Sequence, residues 1–326
     1  MFESMLEVAR QSVQQAAEVC GRIQRQVTPE MVQKKDRSPV TVADFASQAV
    51  VSIVLQEAFP DIPMVGEEDT ATLTEVGHES LKQRVLEEVN RTLGRDLLEH
   101  EILAAIDRCH HDPLTSAHSS SGYWTLDPVD GTKGFLRGEQ YAIALAYIES
   151  GEVKLGVLGC PNLDLGQSPG VQLWALKNGG AFVTSLQSND TQPLTTDDIA
   201  EPLQARFCES VEAAHSNHSE AAQVAELLGI TQPSVRLDSQ AKYAVVASGG
   251  ASIYLRLPTL AGYEEKIWDH AAGAIIVEEA GGQVSDIHGE ALNFAVGRTL
   301  RRNRGVVATN GLLHQRVISA VQEVLN

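Results

Sequence analysis

The sequence predicts an α/β protein whose N-terminal part is of the α+β type, and three features of the 326-residue chain support this class. An apolar stripe with helical spacing opens the chain, strand-like segments follow one another between residues 123 and 183, and strands alternate with helices after residue 207. A polar stretch at 187–192 separates the last two regions. We therefore expect two domains, 1–186 and 187–326.

Two helices are predicted before the first strand. In the first helix, apolar residues such as Leu6, Val13 and Cys20 recur at steps of three and four. The second helix is predicted to begin near Thr41 and to end before two prolines at 60 and 63. Because residues 41–44 have the form of a capping box, one interpretation of Asp44 is that it caps this helix.

Strands are predicted at 64–65, 123–126, 141–148, 153–158, 173–176 and 181–183, the last five in an antiparallel sheet. Further strands at 207–211, 235–237, 253–255 and 306–309 alternate with helices at 219–228, 239–248, 268–280 and the C-terminus. Helical spacing also continues from residue 81 to 106. The polar, histidine-rich run 107–122 predicts a surface loop, and its adjacent Cys109, His110 and His111 lack the spacing of a zinc site.

Composition and charge limit the class of protein. A net charge of −18 argues against binding to polymeric nucleic acid, whereas a small anionic substrate would need local cations. The four cysteines are scattered singly, no apolar run approaches the roughly 20 residues of a membrane span, and the first residues lack a secretory signal. We expect a monomeric cytoplasmic protein without a membrane partner.

The densest group of candidate site residues lies at the end of the strand predicted at 123–126. Asp127 and Asp130 flank a turn that Pro128 and Gly131 favour, so that their carboxylates can converge. Two carboxylates, with the carbonyl of Val129, would suit Mg²⁺. The alternative is an ordinary acidic turn at the surface.

Acidic residues follow two further apolar segments. Glu67 and Glu68 come after the strand at 64–65 through Gly66, and Asp269 stands near the start of a predicted helix. Aspartate at that position also has a structural interpretation, because capping and the helix dipole favour it.

Together these segments resemble the signature series of the magnesium-dependent, lithium-sensitive inositol monophosphatase superfamily. The matching runs are Val65-Gly66-Glu67-Glu68, 127–132 and Trp268-Asp269-His270-Ala271-Ala272-Gly273, and the resemblance covers nearly the whole chain. It implies a layered αβαβα sandwich of the inositol monophosphatase and fructose-1,6-bisphosphatase type. It also implies two or three Mg²⁺ ions and inhibition by Li⁺.

Runs at 131–140, 215–218, 238–243 and 254–258 are similar to the 3′(2′),5′-bisphosphate nucleotidase branch of that superfamily. By this resemblance the metal ligands are Glu67, Asp127, the Val129 carbonyl, Asp130 and Asp269, with Glu68 behind them, and the pair that activates water is Asp44 and Thr132. The residues that bind substrate are Thr132, His215, Ser239, Lys242, Arg256 and Asp269. Lys133 and Arg137 are expected to add positive potential.

The resemblance implies hydrolysis of the 3′-phosphate of adenosine 3′,5′-bisphosphate to AMP and phosphate, with 3′-phosphoadenosine 5′-phosphosulfate as a further candidate substrate. Such an enzyme would serve sulfur metabolism. One alternative is a phosphatase for inositol mono- or bisphosphates. Another, from a different class, is a non-catalytic metal or nucleotide sensor. The sequence departs from the family pattern mainly in the histidine-rich run and in the connection 163–173.

Overall fold

The computed structural model describes residues 1–28, 38–114, 122–166, 169–188, 190–211, 218–258 and 262–325. In this part of the chain the strands form one sheet of seven strands and one of five. None of the helices found there is both long and apolar enough to cross a lipid bilayer.

The seven-stranded sheet comes from the first part of the chain. Its strands, in spatial order, are β1 (Met64–Gly66), β2 (Tyr123–Asp130), β3 (Ala142–Glu149), β4 (Glu152–Cys160), β5 (Val171–Leu176), β6 (Gly180–Ser185) and β7 (Thr191–Pro193). β1 pairs parallel to β2, so that Val65 faces Thr125, and the other neighbours are antiparallel. The end of β1 and the end of β2 therefore lie on the same edge of the sheet.

The five-stranded sheet comes from the second part of the chain. Its strands are β8 (Phe207–Glu209), β9 (Val235–Arg236), β10 (Ile253–Arg256), β11 (Gln283–Ser285) and β12 (Val306–Thr309), in the order β11-β12-β10-β8-β9. The central strand β10 pairs antiparallel to β12 and parallel to β8.

Ten α-helices are found among the described residues. They are α1 (Phe2–Gln24), α2 (Ser38–Ala58), α3 (Ala71–Thr74), α4 (Glu79–Leu93), α5 (Glu99–Asp107), α6 (Thr132–Arg137), α7 (His218–Leu228), α8 (Ala241–Ala247), α9 (Ala271–Glu279) and α10 (His314–Leu325). α1 buries a single stripe, as its spacing predicts, whereas α8 and the first two turns of α9 are buried on every side.

Three apolar cores explain why α1 is buried on one stripe whereas α8 and the first two turns of α9 are buried on every side. One core joins α1 and α2 to one face of the first sheet, and another joins α7 and α10 to the outer face of the second sheet. The third core lies between the sheets and contains α8 and α9. The layers therefore run helix, sheet, helix, sheet, helix, and the predicted αβαβα sandwich is confirmed.

Small residues allow the central helices to pack closely. A Cβ atom on Gly156 of β4 would lie 3.0 Å from the Cα atom of Ala272 in α9. A Cβ atom on Gly273 would lie 2.2 Å from the ring of Tyr243 in α8. The central layer is therefore thin, and both sheets share it.

The start of α2 differs from the prediction. The helix begins at Ser38 rather than near Thr41, because proline at position 39 is tolerated in a first turn, where its missing N–H costs nothing. Asp44 consequently lies in the second turn of the helix. The interpretation of Asp44 as a helix cap is therefore wrong.

Other boundaries differ as well. The helical region 81–106 is divided by Gly94, which has a φ of +64° and ends α4, and β11 was not predicted. β7 begins within the polar stretch 187–192, ends one residue after it and pairs with β6. The domain division at residue 186 stays a prediction. The run 107–122 is not wholly a surface loop, because Cys109 is fully buried, and residues 115–121 with His118 lie outside the described part.

We expect Gly273→Ala to lower the free energy of unfolding by about 1–3 kcal/mol, because the new methyl group would overlap the buried Tyr243 ring. Urea unfolding would measure this change. The matched control is Gly21→Ala in α1, where the nearest atom lies 3.6 Å away and alanine should be neutral or stabilising by up to about 1 kcal/mol. Equal effects of the two substitutions would contradict the close packing of α8 and α9.

Candidate active site

A cavity of about 530 Å³ lies where residues of both sheets meet. The predicted site residues that line it are Asp44, Glu67, Asp127, Val129, Asp130, Thr132, Ser239, Lys242, Arg256 and Asp269. Glu68 is half-buried next to Glu67 and does not line the cavity. His215 lies outside the described residues. The structure therefore brings together side chains as far apart in the chain as Asp44 and Asp269.

The end of β2 carries the first pair of carboxylates. The pairing of β2 with β3 is irregular between Asp127 and Asp130, and the Val129 N–H donates to Asp127 Oδ1 over 3.2 Å. The Ser47 hydroxyl of α2 donates to the Pro128 carbonyl over 2.8 Å. Such an irregularity redirects side chains, and here it turns both carboxylates towards the cavity.

Glycine at position 131 is required by two features at once. Its φ is +88°, and a Cβ atom there would lie 2.9 Å from Ser239 Cβ. Ser239 itself has a φ of +67°, which is strained for a residue other than glycine. The two halves of the cavity therefore touch at this backbone contact, and Thr132 begins α6 directly after it.

The turn after β1 is held against α2. The Gln48 amide donates to the Glu68 carbonyl over 2.7 Å, and Gln48 Oε1 accepts from the Glu68 N–H over 3.1 Å. The Gly66 N–H donates to the Cys109 carbonyl over 2.8 Å. These bonds place the Glu67 carboxylate at the cavity surface, on the same side of α2 as Asp44.

Asp269 precedes α9, whose N-cap residue is His270 without a side-chain capping bond. The Asp269 carboxylate lies 3.6 Å from the Arg256 guanidinium group in the cavity. The interpretation of Asp269 as a capping residue is therefore not supported by the contacts that it makes.

Gln240 joins the two acidic segments, and the sequence analysis assigned it no role. Its backbone N–H donates to Asp130 Oδ2 over 2.6 Å, and its side-chain amide donates to the Trp268 carbonyl over 2.9 Å. Its side-chain oxygen accepts from the Gly273 N–H over 3.3 Å. No sequence motif signals these contacts, because most of them involve backbone groups.

Two basic side chains reach the cavity from the second half of the chain. Lys242 is buried, its ammonium group donates to the Ser239 carbonyl over 2.7 Å, and it lies 5.4 Å from the centre of the Tyr254 ring. Burial lowers the pKa of Lys242, against the opposing charge of Asp130. The Arg256 guanidinium is held by Glu265 at 2.7 Å. Lys242 and Arg256 therefore have defined positions.

Glu265, Asp269 and His270 form a group whose potential ligand atoms lie within 4.8 Å of one another. Glu265 is already engaged by Arg256 and by His270 Nε2 at 3.1 Å, and the Tyr243 hydroxyl bonds His270 Nδ1 at 2.7 Å. Glu265 and His270 therefore already have partners, and the half-buried Arg256 beside them opposes the binding of one cation by all three residues. We interpret Glu265 and His270 as the support that orients Arg256, whereas Asp269 is the member of the group that lines the cavity with the other acidic residues.

Burial, and after it the like charges of neighbouring carboxylates, raise the pKa values of acidic residues in the cavity. Burial raises the pKa of Asp44 well above its ordinary value, and the charges of Glu68 and Glu67 raise it further. Burial raises the pKa of Asp127 in the same way, followed by the charges of Glu67 and Asp130. Burial also raises the pKa of Asp269 to about 7, although Arg256 and His270 act in the opposite direction.

These shifts indicate what the cavity fits chemically. Carboxylates that repel one another in one cavity are stabilised by a cation, and hard oxygen ligands suit Mg²⁺. Glu67, Asp127, Asp130 and Asp269 therefore fit the divalent cation that the sequence predicts, together with the carbonyl of Val129.

Two expectations about the site need correction or remain open. Arg137 adds less positive potential than expected, because it pairs with Asp238 and with Glu139. Asp44 and Thr132 both line the cavity, but among the described contacts no hydrogen bond joins them directly. Their catalytic pairing stays a prediction.

Comparisons with known proteins agree with this geometry. The whole chain, residues 1–326, matches the model of the inositol monophosphatase family, and the chain belongs to that family. Its relatives include a 3′(2′),5′-bisphosphate nucleotidase from Oryza sativa, 44% identical over 345 residues that cover 99% of this chain and 95% of the relative. A protein of the same name from Emericella nidulans is 43% identical, with 99% of each chain covered. The family and the branch that the motifs suggested are thus the ones in which relatives are found.

Solved structures confirm the fold. An IMPase from Thermotoga maritima superposes with a TM-score of 0.65 at 20% identity, covering 99% of this chain and 98% of that one. SuhB from Mycobacterium tuberculosis gives a TM-score of 0.64 at 19% identity, with 99% and 97% covered. At these identities the likeness concerns the fold alone.

Mg²⁺ should raise the melting temperature more at pH 8 than at pH 5.5. A carboxyl whose pKa is raised in the folded state stabilises the fold at low pH, where it is protonated, and this stabilisation is lost as the pH rises through the folded-state pKa. For Asp269 that pKa is about 7. At high pH the ionised carboxylates repel one another, and Mg²⁺ relieves this repulsion. Mg²⁺ also binds only to the ionised carboxylates. Thermal melts of the metal-free protein with and without MgCl₂ at both pH values would measure the difference.

Asp127→Asn should raise the melting temperature of the metal-free protein at pH 8 and should reduce its response to MgCl₂. Asp61→Asn, which removes the same charge from an exposed position outside the cavity, is the control and should change neither quantity. A response to MgCl₂ that is equal at both pH values would argue against a preformed acidic site.

Proposed function

We propose that the protein is a magnesium-dependent phosphomonoesterase that converts adenosine 3′,5′-bisphosphate to AMP and phosphate. The observation that supports this most is one cavity whose lining combines mutually repelling carboxylates with the basic side chains of Lys242 and Arg256. The carboxylates, with a bound cation, suit a phosphoryl group under attack, and the basic side chains suit another phosphate of the same substrate. The names of the full-length relatives agree with this assignment.

The acidic residues would hold the metal. Glu67, Asp127, Asp130, Asp269 and the Val129 carbonyl are the proposed ligands, and Glu68 would keep the turn of Glu67 in place through its backbone bonds to Gln48. Mg²⁺ bound there supplies electrostatic stabilisation of the transferring phosphoryl group and makes a water molecule more acidic. Inhibition by Li⁺, hydrolysis of the sulfated analogue and a cytoplasmic location stay predictions from the sequence.

Asp44 and Thr132 are the proposed acid–base pair. The burial of Asp44 and its glutamate neighbours make its carboxyl a strong proton acceptor once it is ionised, since the same groups raise its pKa. The Thr132 hydroxyl at the start of α6 lies in the same cavity. When the two side chains come within hydrogen-bonding distance, Asp44 can accept the Thr132 proton while Thr132 accepts a proton from water.

The remaining substrate phosphate would lie against Lys242 and Arg256, with Ser239, and by family resemblance His215, close by. Glu265 fixes the Arg256 fork, and the left-handed backbone of Ser239 directs its carbonyl to the Lys242 ammonium group. Guanidinium and ammonium groups held in this way bind phosphate oxygens with charge-assisted hydrogen bonds. A set of acidic and a set of basic side chains in the same cavity favour a bisphosphate over a monophosphate.

A phosphate-release assay tests the activity. With MgCl₂ we expect turnover of adenosine 3′,5′-bisphosphate that exceeds turnover of inositol 1-phosphate and inositol 1,4-bisphosphate. Thr132→Ala and Asp44→Asn should each lower kcat by about 10²–10⁴-fold while the response of the melting temperature to MgCl₂ is kept. Thr72→Ala, at an exposed position of α3, is the control. Preference for an inositol phosphate, or nucleotide binding without turnover, would overturn the proposal.

Lys242→Met should raise KM for adenosine 3′,5′-bisphosphate by about 10-fold or more, because one charge-assisted contact to the second phosphate is lost. The KM for adenosine 3′-monophosphate should change little, since that substrate lacks the second phosphate. Lys154→Met removes a half-buried lysine that pairs with Glu152 outside the cavity and should leave both values unchanged. Equal changes for the two nucleotides would show that Lys242 does not contact the second phosphate.

A further inference from the structure

Arg298 makes an unusual set of contacts with backbone groups next to the acidic site. Its guanidinium donates to the Gly66 carbonyl over 2.6 Å, to the His111 carbonyl over 3.2 Å and to the Cys109 carbonyl over 3.4 Å. The same group lies 4.9 Å from the centre of the Trp268 ring. Arg298 does not line the cavity.

These contacts join two turns that come from different halves of the chain. Gly66 ends β1 and directly precedes Glu67, and Trp268 directly precedes Asp269. The backbone of Arg298 is attached to the second of these segments, because its carbonyl accepts from the Ile267 N–H over 3.2 Å. The side chain therefore extends from the Asp269 segment to the Glu67 segment.

The chemistry of the guanidinium group suits this connection. It is planar and offers five donors, so it can stack on an indole ring and still donate to carbonyls on a neighbouring segment. Burial lowers the pKa of Arg298, and the charge of Asp112 acts in the opposite direction. A lysine at this position would keep the charge but would lose the stacking and most of the donors.

We propose that Arg298 is a positioning residue that sets the distance between the Glu67 and Asp269 carboxylates and thereby the affinity of the cavity for divalent cations. The inference rests on the proposed function only in taking these two residues as metal ligands. Groups that orient metal ligands typically change metal affinity by about 10–100-fold when they are removed. Arg298 acts through backbone groups, so it should affect cation binding more than the chemical step.

Calorimetric titration of MgCl₂ into the metal-free protein tests this role directly. The variants are Arg298→Met and Arg298→Lys, and the control is Arg10→Met. Arg10 is well matched, because its guanidinium also lies over a tryptophan, at 4.8 Å from the Trp174 ring, and donates to Gln172 over 3.1 Å. It stands in α1, outside the cavity lining. Thermal melts without metal would show what each substitution costs the fold.

We expect the Mg²⁺ dissociation constant to rise about tenfold or more in Arg298→Met and to stay within twofold of wild type in Arg10→Met. Arg298→Lys should remain closer to Arg298→Met than to wild type. In phosphate-release assays kcat of Arg298→Met at saturating MgCl₂ should lie within about threefold of wild type. Should Arg298→Met not fold, the weaker binding expected for Arg298→Lys carries the test.

Two results would overturn the inference. One is an unchanged Mg²⁺ dissociation constant in Arg298→Met, and the other is full recovery of wild-type affinity in Arg298→Lys, which would show that charge alone suffices. A wild-type protein that binds Mg²⁺ but releases no phosphate would refute the proposed function instead. The calorimetric comparison would still decide the role of Arg298 in that case.

Discussion

The repulsion between carboxylates in one cavity is the constraint on which the rest of the structure depends. Three of the acidic residues come from different elements: Asp44 from α2, Asp127 from the end of β2 and Asp269 from the segment before α9. No local sequence preference would bring them together. Contacts with uncharged groups help to keep them close: Gln240, Gln48 and the Ser47 hydroxyl all bond to the backbone of the acidic segments or to Asp130. The acidic cavity lowers the stability of the fold, and the three apolar cores offset this loss.

Stabilisation by apolar packing depends on the central helix layer. α8 and α9 are short and almost wholly apolar, and glycines at 156 and 273 let them approach β4 and each other. The same helices carry the site, since Lys242 lies in α8 and Asp269 directly precedes the N-cap of α9. Packing and chemistry are therefore coupled: the layer that fills the space between the sheets also aims the functional side chains at the cavity.

Much of this arrangement could be predicted from the sequence, because strands with period-two patterning and helices with a clear apolar stripe carry strong signals. The acidic motifs were recognisable because each follows a short apolar segment. β7 was missed because all three of its residues are exposed, so no alternation marks it. The start of α2 differs from the prediction because Thr41 and Asp44, which lie within the helix, have the sequence pattern of a capping box. Buried Cys109 was assigned to a loop because its neighbours His110, His111 and Asp112 are polar.

Some of the site lies beyond any sequence pattern. Gln240 and Arg298 act mainly on backbone carbonyl and amide groups, which every residue possesses, so no spacing of side chains points to them. The pairing of Arg137 with Asp238 links residues 101 positions apart and changes the charge expected near the cavity. Such contacts become visible only when the tertiary arrangement is known.

The shared central layer has a consequence for how the molecule comes apart. Since α8 and α9 cover one face of each sheet, neither sheet keeps a complete core without the polypeptide that follows residue 240. Loss of that segment would expose apolar surface on both sheets together. Unfolding of the central layer should therefore destabilise both sheets, and proteolytic clipping near the middle of the chain should yield aggregating fragments, not two autonomous folding units.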